Sequence, residues 1–171
     1  MGGRSAPPAA QNAINASCMM FAIGPRRKST GNEIQMSERY ETLEHTADIM
    51  IRAFGSTLEE CMENAAYGMF DQMADLSSVE PVREYSLEVE GDDPAQLMVD
   101  LLSELLYLHD TEFVLLSEFK VKYDREVLNL TARGEPVDKN RHEMRAAIKA
   151  VSYHALEVSP DKGYATVLFD A

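Results

Sequence analysis

Five polar side chains stand in segments that are otherwise apolar, and they are the residues best placed to do chemistry. His45 and Asp48 belong to the segment HTADIMI, Lys149 and His154 to IKAVSYHALEV, and Asp170 to the final VLFDA. Each also has a purely structural explanation. Asp48 and His45 would shape a turn before a strand. His154 would be a partly buried residue of a sheet, Lys149 a solvated lysine and Asp170 a frayed strand end.

The same residues also suggest a cation site. If the strand that follows Asp48 lies beside the strand that Asp170 ends, the two carboxylates converge with the terminal carboxylate of Ala171. Oxygen clusters of this type, completed by backbone carbonyls and water, bind hard cations such as Ca²⁺ and Mg²⁺. A nearby Lys149 would bind phosphate or balance the acids. Spacing alone does not establish this convergence, so both interpretations stay open.

The strong sequence signatures of enzymes are missing from the chain. It has no Gly-rich phosphate loop, no nucleophile elbow, no His-Glu-x-x-His helix and no paired-cysteine motif. A metal-dependent phosphoesterase would need a general base, for which His45 is the only candidate near Asp48 in the sequence. The missing signatures make an enzyme less expected, and the hydrolase stays open as an alternative.

Charge is distributed unevenly along the 171 residues, whose net charge is −13. Four of the 16 basic residues but one of the 29 acidic residues lie in residues 1–35, which leaves 12 basic and 28 acidic residues and a net charge of −16 in residues 36–171. A body this acidic repels phosphate backbones, which disfavours a plain RNA-binding module. It suits a basic partner protein or cations.

Residues 1–35 differ in composition from the rest, because they are rich in Gly, Pro, Ala, Ser and Asn without periodicity. We predict a flexible N-terminal extension at 1–35 and one compact domain at 36–171. Cys18 and Cys61 lack metal-type spacing, which indicates a reducing compartment such as the cytoplasm and no disulfide. No apolar run approaches the ~18 residues of a membrane span, so no membrane association is expected.

Two segments have the periodicity of amphipathic helices. Apolar residues recur every three or four positions across residues 58–73, and Ser56 with Glu59 would form a capping box at the start of this helix. The second helix would begin after the cap residue Asp93, carry leucines inward and end near residues 109–110. Helical spacing of this kind indicates core packing.

The remaining segments alternate as strands, and the stretch with Lys149 and His154 favours a strand over a helix because of its Val and Tyr content. Two helices on one face of a mostly antiparallel sheet give a two-layer α+β fold. The predicted strands are RYETLEH, DIMIRAF, VREYSLEVEG, EFKVKYDR, EVLNLTARGEPV, RAAIKAVSYHALEV and YATVLFDA.

Four segments, in this order and with these separations, closely resemble the archease family. They are YETLEHTADIMIRAFGSTLEECMENAAYGMF, EGDDPAQLMVDLLSELLYLHDTE, IKAVSYHALEV and VLFDA, and the resemblance covers residues 39–171. It implies an archease-like fold with SHS2-type elements. It also implies a non-enzymatic protein cofactor of the GTP-dependent tRNA-splicing RNA ligase, which promotes guanylylation of the ligase's active-site histidine and repeated turnover in tRNA splicing and RNA repair. A looser, chaperone-like modulation of nucleic-acid-processing enzymes is the alternative within the family.

The resemblance also implies roles for particular residues. The family's metal-binding acids fall on Asp48 and Asp170, its C-terminal metal ligand on Ala171, and its functional lysine on Lys149. The implied ion is Ca²⁺, with Mg²⁺ or Mn²⁺ as alternatives, and tRNA would be contacted only through the ligase. The family often ends Asp-Ile or Asp-Val where this chain ends Asp-Ala, which matters little if Ala171 binds through its backbone or terminal carboxylate.

Overall fold

The computed structural model of the chain describes residues 38–45 and 48–171. The predicted extension at residues 1–35 therefore lies outside the described residues. Within the described part, no helix is long and apolar enough to cross a membrane. The helices and strands, in chain order, are β1 Tyr40–Leu43, β2 Ile49–Phe54, α1 Leu58–Met73, β3 Arg83–Glu90, α2 Pro94–Glu112, β4 Val114–Asp124, β5 Val127–Pro136, β6 Ala150–Ser159 and β7 Tyr164–Asp170.

The strands form two antiparallel sheets. One sheet has four strands in the order β1-β2-β7-β6, and the other has three in the order β3-β5-β4. In the four-stranded sheet, β2, near the start of the described residues, pairs with β7 at the end of the chain. Strand β7 is buried at five consecutive positions, residues 165–169, as expected of a central strand.

The predicted hairpin between β4 and β5 is present, and its turn consists of Arg125 and Glu126. Their φ angles of 51° and 64° are both positive. Positive φ at both positions defines the type I′ turn, whose backbone twist matches the twist of the two strands. Such turns usually contain Asn or Gly, and this one contains neither. Asp124 pairs directly with Val127 across the turn.

Helix α1 begins one residue later than the capping prediction. Thr57, not Ser56, is the N-cap, and its hydroxyl accepts a hydrogen bond from the Glu60 amide at 3.1 Å. The Glu60 carboxylate accepts from the amide and the hydroxyl of Ser56, at 2.7 and 2.8 Å. The predicted pair of Ser56 and Glu59 is therefore wrong by one position, because Thr57 and Glu60 have the same residue types at the same spacing.

Helix α2 starts as predicted at the cap Asp93, whose side chain accepts from the Ala95 amide at 2.9 Å. It ends at Glu112, two residues beyond the predicted end. Each helix touches both sheets: α1 packs on β2 and β4, and α2 packs on β6 and β3. The buried face of α1 carries the predicted stripe, which includes Cys61, Met62, Ala65, Ala66, Met69, Phe70 and Met73.

The predicted α+β class with two helices and antiparallel strands is confirmed. The division into two sheets was not predicted. Alternation shows which face of a strand is buried, but it does not show which strands pair. The division arises because β5 pairs with β3 and β4, whereas β6, the next strand along the chain, pairs with β7.

Candidate functional site at one end of the four-stranded sheet

Three strand ends meet at one end of the four-stranded sheet, where β2 begins, β7 ends and β6 begins. Ile49 pairs with Phe169, so Asp48 and Asp170 each lie one residue beyond that pair. On the other side of β7, Ala150 pairs with Asp170. The two acids therefore belong to neighbouring strands at the same end of the sheet. We name Asp48, Lys149, Asp170 and Ala171 the strand-end site.

Lys149 is bonded to the end of β7 through both its backbone and its side chain. Its amide donates to the Asp170 carbonyl at 2.8 Å, and its Nζ donates to the Ala171 main-chain oxygen at 3.0 Å. Lys149 is exposed and lies one residue before β6 rather than inside it. Asp170 is thus held by the sheet ladder, so the expectation of a frayed end is wrong.

His45 contacts Asp48, the acidic residue of the predicted turn. Its Nδ1 lies 3.5 Å from Oδ2 of Asp48, and the two side chains are 29% and 31% exposed. The residues between them, 46–47, are not described. This contact can orient the Asp48 carboxylate, and its length is that of a loose ion pair rather than a hydrogen bond.

His154 does not join the strand-end site. Strand β6 has a bulge in which residues 153–156 face a single residue of β7, between the pairs formed by Ser152 and Glu157. The bulge contains Ala155 at a φ of 57°. His154 is exposed there, and its amide donates to the Ser152 hydroxyl at 3.2 Å. The prediction of a partly buried sheet residue is wrong, because the bulge turns this segment out of the ladder.

The donors of the strand-end site suit a hard cation by type. Two carboxylates and the main-chain oxygen of Ala171 are oxygen ligands, which Ca²⁺ and Mg²⁺ prefer. Among residues 38–45 and 48–171, no three His, Cys, Asp or Glu side chains lie close enough together to hold a metal ion. Any ion here would therefore complete its six to eight ligands with backbone oxygens and water.

A second charged group, which the sequence did not reveal as a site, lies at the end of β5. The Glu135 carboxylate accepts from the Glu80 amide at 2.7 Å, from Arg141 at 2.8 and 3.0 Å, and from Nε2 of His142 at 3.2 Å. Nδ1 of His142 accepts from the Asp138 amide at 2.9 Å, which makes Nε2 the protonated nitrogen of a neutral ring. We name Glu135, Arg141 and His142 the Glu135 cluster.

Hydrogen bonds of the Glu135 cluster connect the irregular segment 137–149 to the end of β5. This segment leads from β5 to the strand-end site. Glu135 and His142 are only 7% and 4% exposed. The Glu80 amide, followed by Arg141 and His142, lowers the pKa of the Glu135 carboxyl below its usual value. The segment DKNRHEM resembles a polar loop in sequence. A sequence signal that could have found the cluster is the arginine and the histidine that follow Glu135 by six and seven positions.

The far part of that segment is attached to the end of α1. Arg145 donates through its backbone amide to the Met73 carbonyl at 2.8 Å and through Nη1 of its guanidinium group to the Asp71 carbonyl at 2.9 Å. Ala146 donates to the Gln72 carbonyl at 3.1 Å. The chain therefore reaches Lys149 along a fixed path, and the ladder contact with Asp170 sets the final position of that lysine.

Comparison with known proteins agrees with this architecture. Residues 40–171 match the model of the Archease protein family (MTH1598/TM1083). The protein archease of Methanothermobacter thermautotrophicus is 44% identical over 128 residues, which cover 72% of this chain and 91% of that protein. The protein archease of Pyrococcus furiosus is 40% identical over 124 residues, which cover 70% and 87%.

Solved structures show the same fold. The solution structure of protein 1598 of Methanobacterium thermoautotrophicum matches with a TM-score of 0.68 and 41% identity, covering 78% of this chain and 99% of that one. A crystal structure of an archease from Thermotoga maritima, described as a possible chaperone, matches with a TM-score of 0.54 and 22% identity, covering 77% and 96%. At that identity the second likeness concerns the fold alone. The family model and the relatives together show that this chain belongs to the archease family.

Proposed function

We propose that this protein is a non-enzymatic cofactor of a GTP-dependent tRNA-splicing RNA ligase and that it promotes guanylylation of the ligase's active-site histidine. Membership of the archease family supports the proposal. The single observation that carries it is the gathering of Asp48, Asp170 and Lys149 at one end of a sheet, although they lie up to 122 positions apart in the chain. At this end of the sheet, Lys149 can contact a partner's phosphate groups, and the two acids can hold a cation that neutralises phosphate charge.

In this proposal the protein docks its strand-end site against the nucleotide site of the ligase. The acidic body assists the encounter with a basic surface, because complementary charge raises the rate of association. Lys149 is exposed and held beside Ala171, so its ammonium group is available to a phosphate oxygen. Transfer of a nucleotidyl group depends mainly on positioning and charge neutralisation, which fixed charged groups supply.

The residues that would hold a divalent ion are Asp48, Asp170 and Ala171, with Ca²⁺ the first choice and Mg²⁺ or Mn²⁺ the alternatives. A bound ion would neutralise phosphate charge. Asp48 is oriented by His45, whose ring nitrogen lies 3.5 Å from its carboxylate. Lys149 then balances the remaining negative charge at the end of β7.

The test is a single-turnover guanylylation assay of the ligase with and without this protein. Asp48→Ala and Lys149→Met should each lose most of the stimulation. Matched controls are Asp92→Ala and Lys139→Met, which change exposed residues outside the strand-end site. Equal stimulation by Asp48→Ala and Asp92→Ala, with both folded, would refute the role of this site.

A broader chaperone-like role is the second candidate, and the description of the Thermotoga maritima archease as a possible chaperone favours it. A chaperone would raise the soluble yield or the stability of several unrelated RNA-processing enzymes. It would do so without a rate effect on one chemical step. Light scattering of heated client enzymes, measured with and without the protein, separates this role from ligase activation.

A further inference from the structure

Four basic residues of this acidic protein line one open groove, three of them from the three-stranded sheet and one, Arg39, from the position before β1. The groove has a volume of about 520 Å³ and is lined by Arg39, Lys120, Lys122 and Arg133, together with Glu118, Phe119 and Thr131. Residues 36–171 hold only 12 basic residues, so a third of them meet here. The lining itself holds four cations and one acid, Glu118, whereas residues 36–171 as a whole carry a net charge of −16.

The alternation of the strands produces this groove. Lys120 and Lys122 lie on the exposed face of β4, while the residue between them, Val121, is buried. The next strand, β5, places Thr131 opposite Lys120 and Arg133 opposite Glu118. Because β4 is an edge strand of its sheet, no further strand of the described part of the chain lies beside the lysines on that side.

Two cations of the groove, Lys120 and Arg133, are paired with acids, and Arg133 donates two hydrogen bonds to Glu84 at 3.0 and 2.7 Å. Lys120 lies 3.0 Å from Glu63 but is 71% exposed, and Arg133 lies 2.7 Å from Glu84 with both side chains 53% exposed. Arg39 stacks on the Tyr67 ring at 4.3 Å. Neither Arg39 nor Lys122 forms an ion pair with any residue that the structure describes. Exposed pairs contribute little stability, so an anion can replace them at small cost.

The lining indicates which anion fits. A protein partner would need an apolar anchor in a pocket, because buried aromatic and aliphatic residues supply most of the energy of protein interfaces. Among the described residues of the lining, Phe119 is the one aromatic residue; it is half-buried and packs on Phe70 with 5.6 Å between ring centroids. Because this ring already packs on the core, it is a poor anchor for a partner side chain. Point charges and one hydroxyl suit the phosphates and sugars of a nucleic acid backbone.

We propose that this groove binds the sugar-phosphate backbone of single-stranded RNA, without reading its sequence. The inference rests on the proposed function, and it adds a direct RNA contact on the cofactor to the contact made by the ligase. Four cations allow at most four phosphate contacts, so binding should be weak and should fall with salt at a logarithmic slope of no more than about 3. The groove would hold an RNA end near the ligase during joining.

The test measures fluorescence anisotropy of a labelled single-stranded RNA with full-length protein at low salt. Lys122→Glu should weaken binding about tenfold and lower the salt slope by about 1. Lys139→Glu makes the same charge change at an exposed lysine outside the groove, and it should bind as the unaltered protein does. The basic residues of positions 1–35 are identical in all three proteins, so the difference isolates the groove.

Three results would overturn the proposal. The first is no RNA binding by the unaltered protein, and the second is an equal effect of Lys122→Glu and Lys139→Glu. The third is displacement of the RNA by poly-glutamate as effectively as by unlabelled RNA, which would assign the groove to an acidic protein segment.

A ligase assay separates this proposal from the proposed function. Guanylylation is measured without RNA, and Lys122→Glu should stimulate it fully. Joining of RNA ends at limiting RNA should fall in the same variant. If the unaltered protein does not stimulate guanylylation, the cofactor role is refuted. The anisotropy result would then test RNA binding by the groove on its own.

Discussion

The strand-end site and the Glu135 cluster both bring carboxylates and cations together, but they differ in how completely those charges are bonded. Glu135 is nearly buried and accepts from three donor groups at 2.7–3.2 Å. The Asp48 side chain is about a third exposed, and among the residues that the structure describes it has one side-chain contact, at 3.5 Å. A carboxylate whose oxygens are all used can only hold the structure together, whereas one with unused oxygens can bind something else.

The same difference applies to the cations. Both Arg141 nitrogens that face Glu135 are bonded to it, and one of them also donates to the Ser78 carbonyl at 3.2 Å. Within residues 38–45 and 48–171, Lys149 donates once through its side chain, although an ammonium group has three donors. We therefore expect the Glu135 cluster to serve stability and, under the proposed function, the strand-end site to serve activation of the ligase.

The largest effect on stability should come from Gly134→Ala, just before Glu135. A Cβ at this position would lie 1.9 Å from the Leu115 carbonyl oxygen, which belongs to the paired strand and cannot move aside. The substitution should lower the free energy of unfolding by about 3 kcal/mol or more. Urea unfolding followed by circular dichroism measures it. A loss below about 0.5 kcal/mol, the range of ordinary surface substitutions, would show that the strands separate more easily than this contact implies.

Glu135→Ala should have the next largest effect. It leaves the Glu80 amide and the buried His142 without their acceptor, which should cost about 2–3 kcal/mol. Arg141 is 44% exposed and can turn to water, so the loss stays below that of a fully buried ion pair. Chemical denaturation of this variant beside Glu84→Ala, whose carboxylate is 53% exposed, provides the comparison.

The free energy of unfolding should depend on pH because the Glu135 carboxylate is ionised in the folded protein. Hydrogen bonds from the Glu80 amide, Arg141 and His142 lower the pKa of Glu135 in the folded protein. An unfolded glutamate titrates near pH 4.3, so the stabilisation is complete above about pH 5 and is lost as pH falls through the lowered folded value. The gap in unfolding free energy between the unaltered protein and Glu135→Gln should therefore shrink below about pH 4. A gap that is constant with pH would contradict the ionised carboxylate.

The smallest effect on stability should come from the strand-end site. Asp48→Ala removes one loose contact with His45 and should change the free energy of unfolding by less than about 0.5 kcal/mol. Thermal unfolding monitored by circular dichroism measures the change. A loss as large as that of Glu135→Ala would mean that Asp48 is a structural residue, and the contrast between the two regions would disappear.

Much of the fold was predictable from the sequence because periodicity reports burial directly. The stripe of α1, the cap Asp93 and the hairpin around residues 125–126 follow from local residue types. The cap at Thr57 was missed because two overlapping residue pairs satisfy the same local rule. The division into two sheets and the bulge at His154 depend on pairing between distant strands, which local patterns do not encode.

The candidate site was predictable in part. Asp48, Asp170 and Lys149 could be singled out as polar residues in apolar segments, but their meeting required the pairing of β2, β7 and β6. The Glu135 cluster escaped notice because a glutamate in an alternating strand looks exposed from the sequence. Its burial follows from the path of segment 137–149, which covers it with Arg141 and His142.

The most direct test of this division is the rate of ligase guanylylation in single turnover, expressed per folded molecule of the added protein. Asp48→Ala should be as stable as the unaltered protein yet give a rate close to that of the ligase alone. Glu135→Ala should be less stable yet stimulate fully wherever it is folded, because the ladder contact from Lys149 to Asp170 remains. Full stimulation by Asp48→Ala, or none by folded Glu135→Ala, would contradict the assignment of function to the strand-end site.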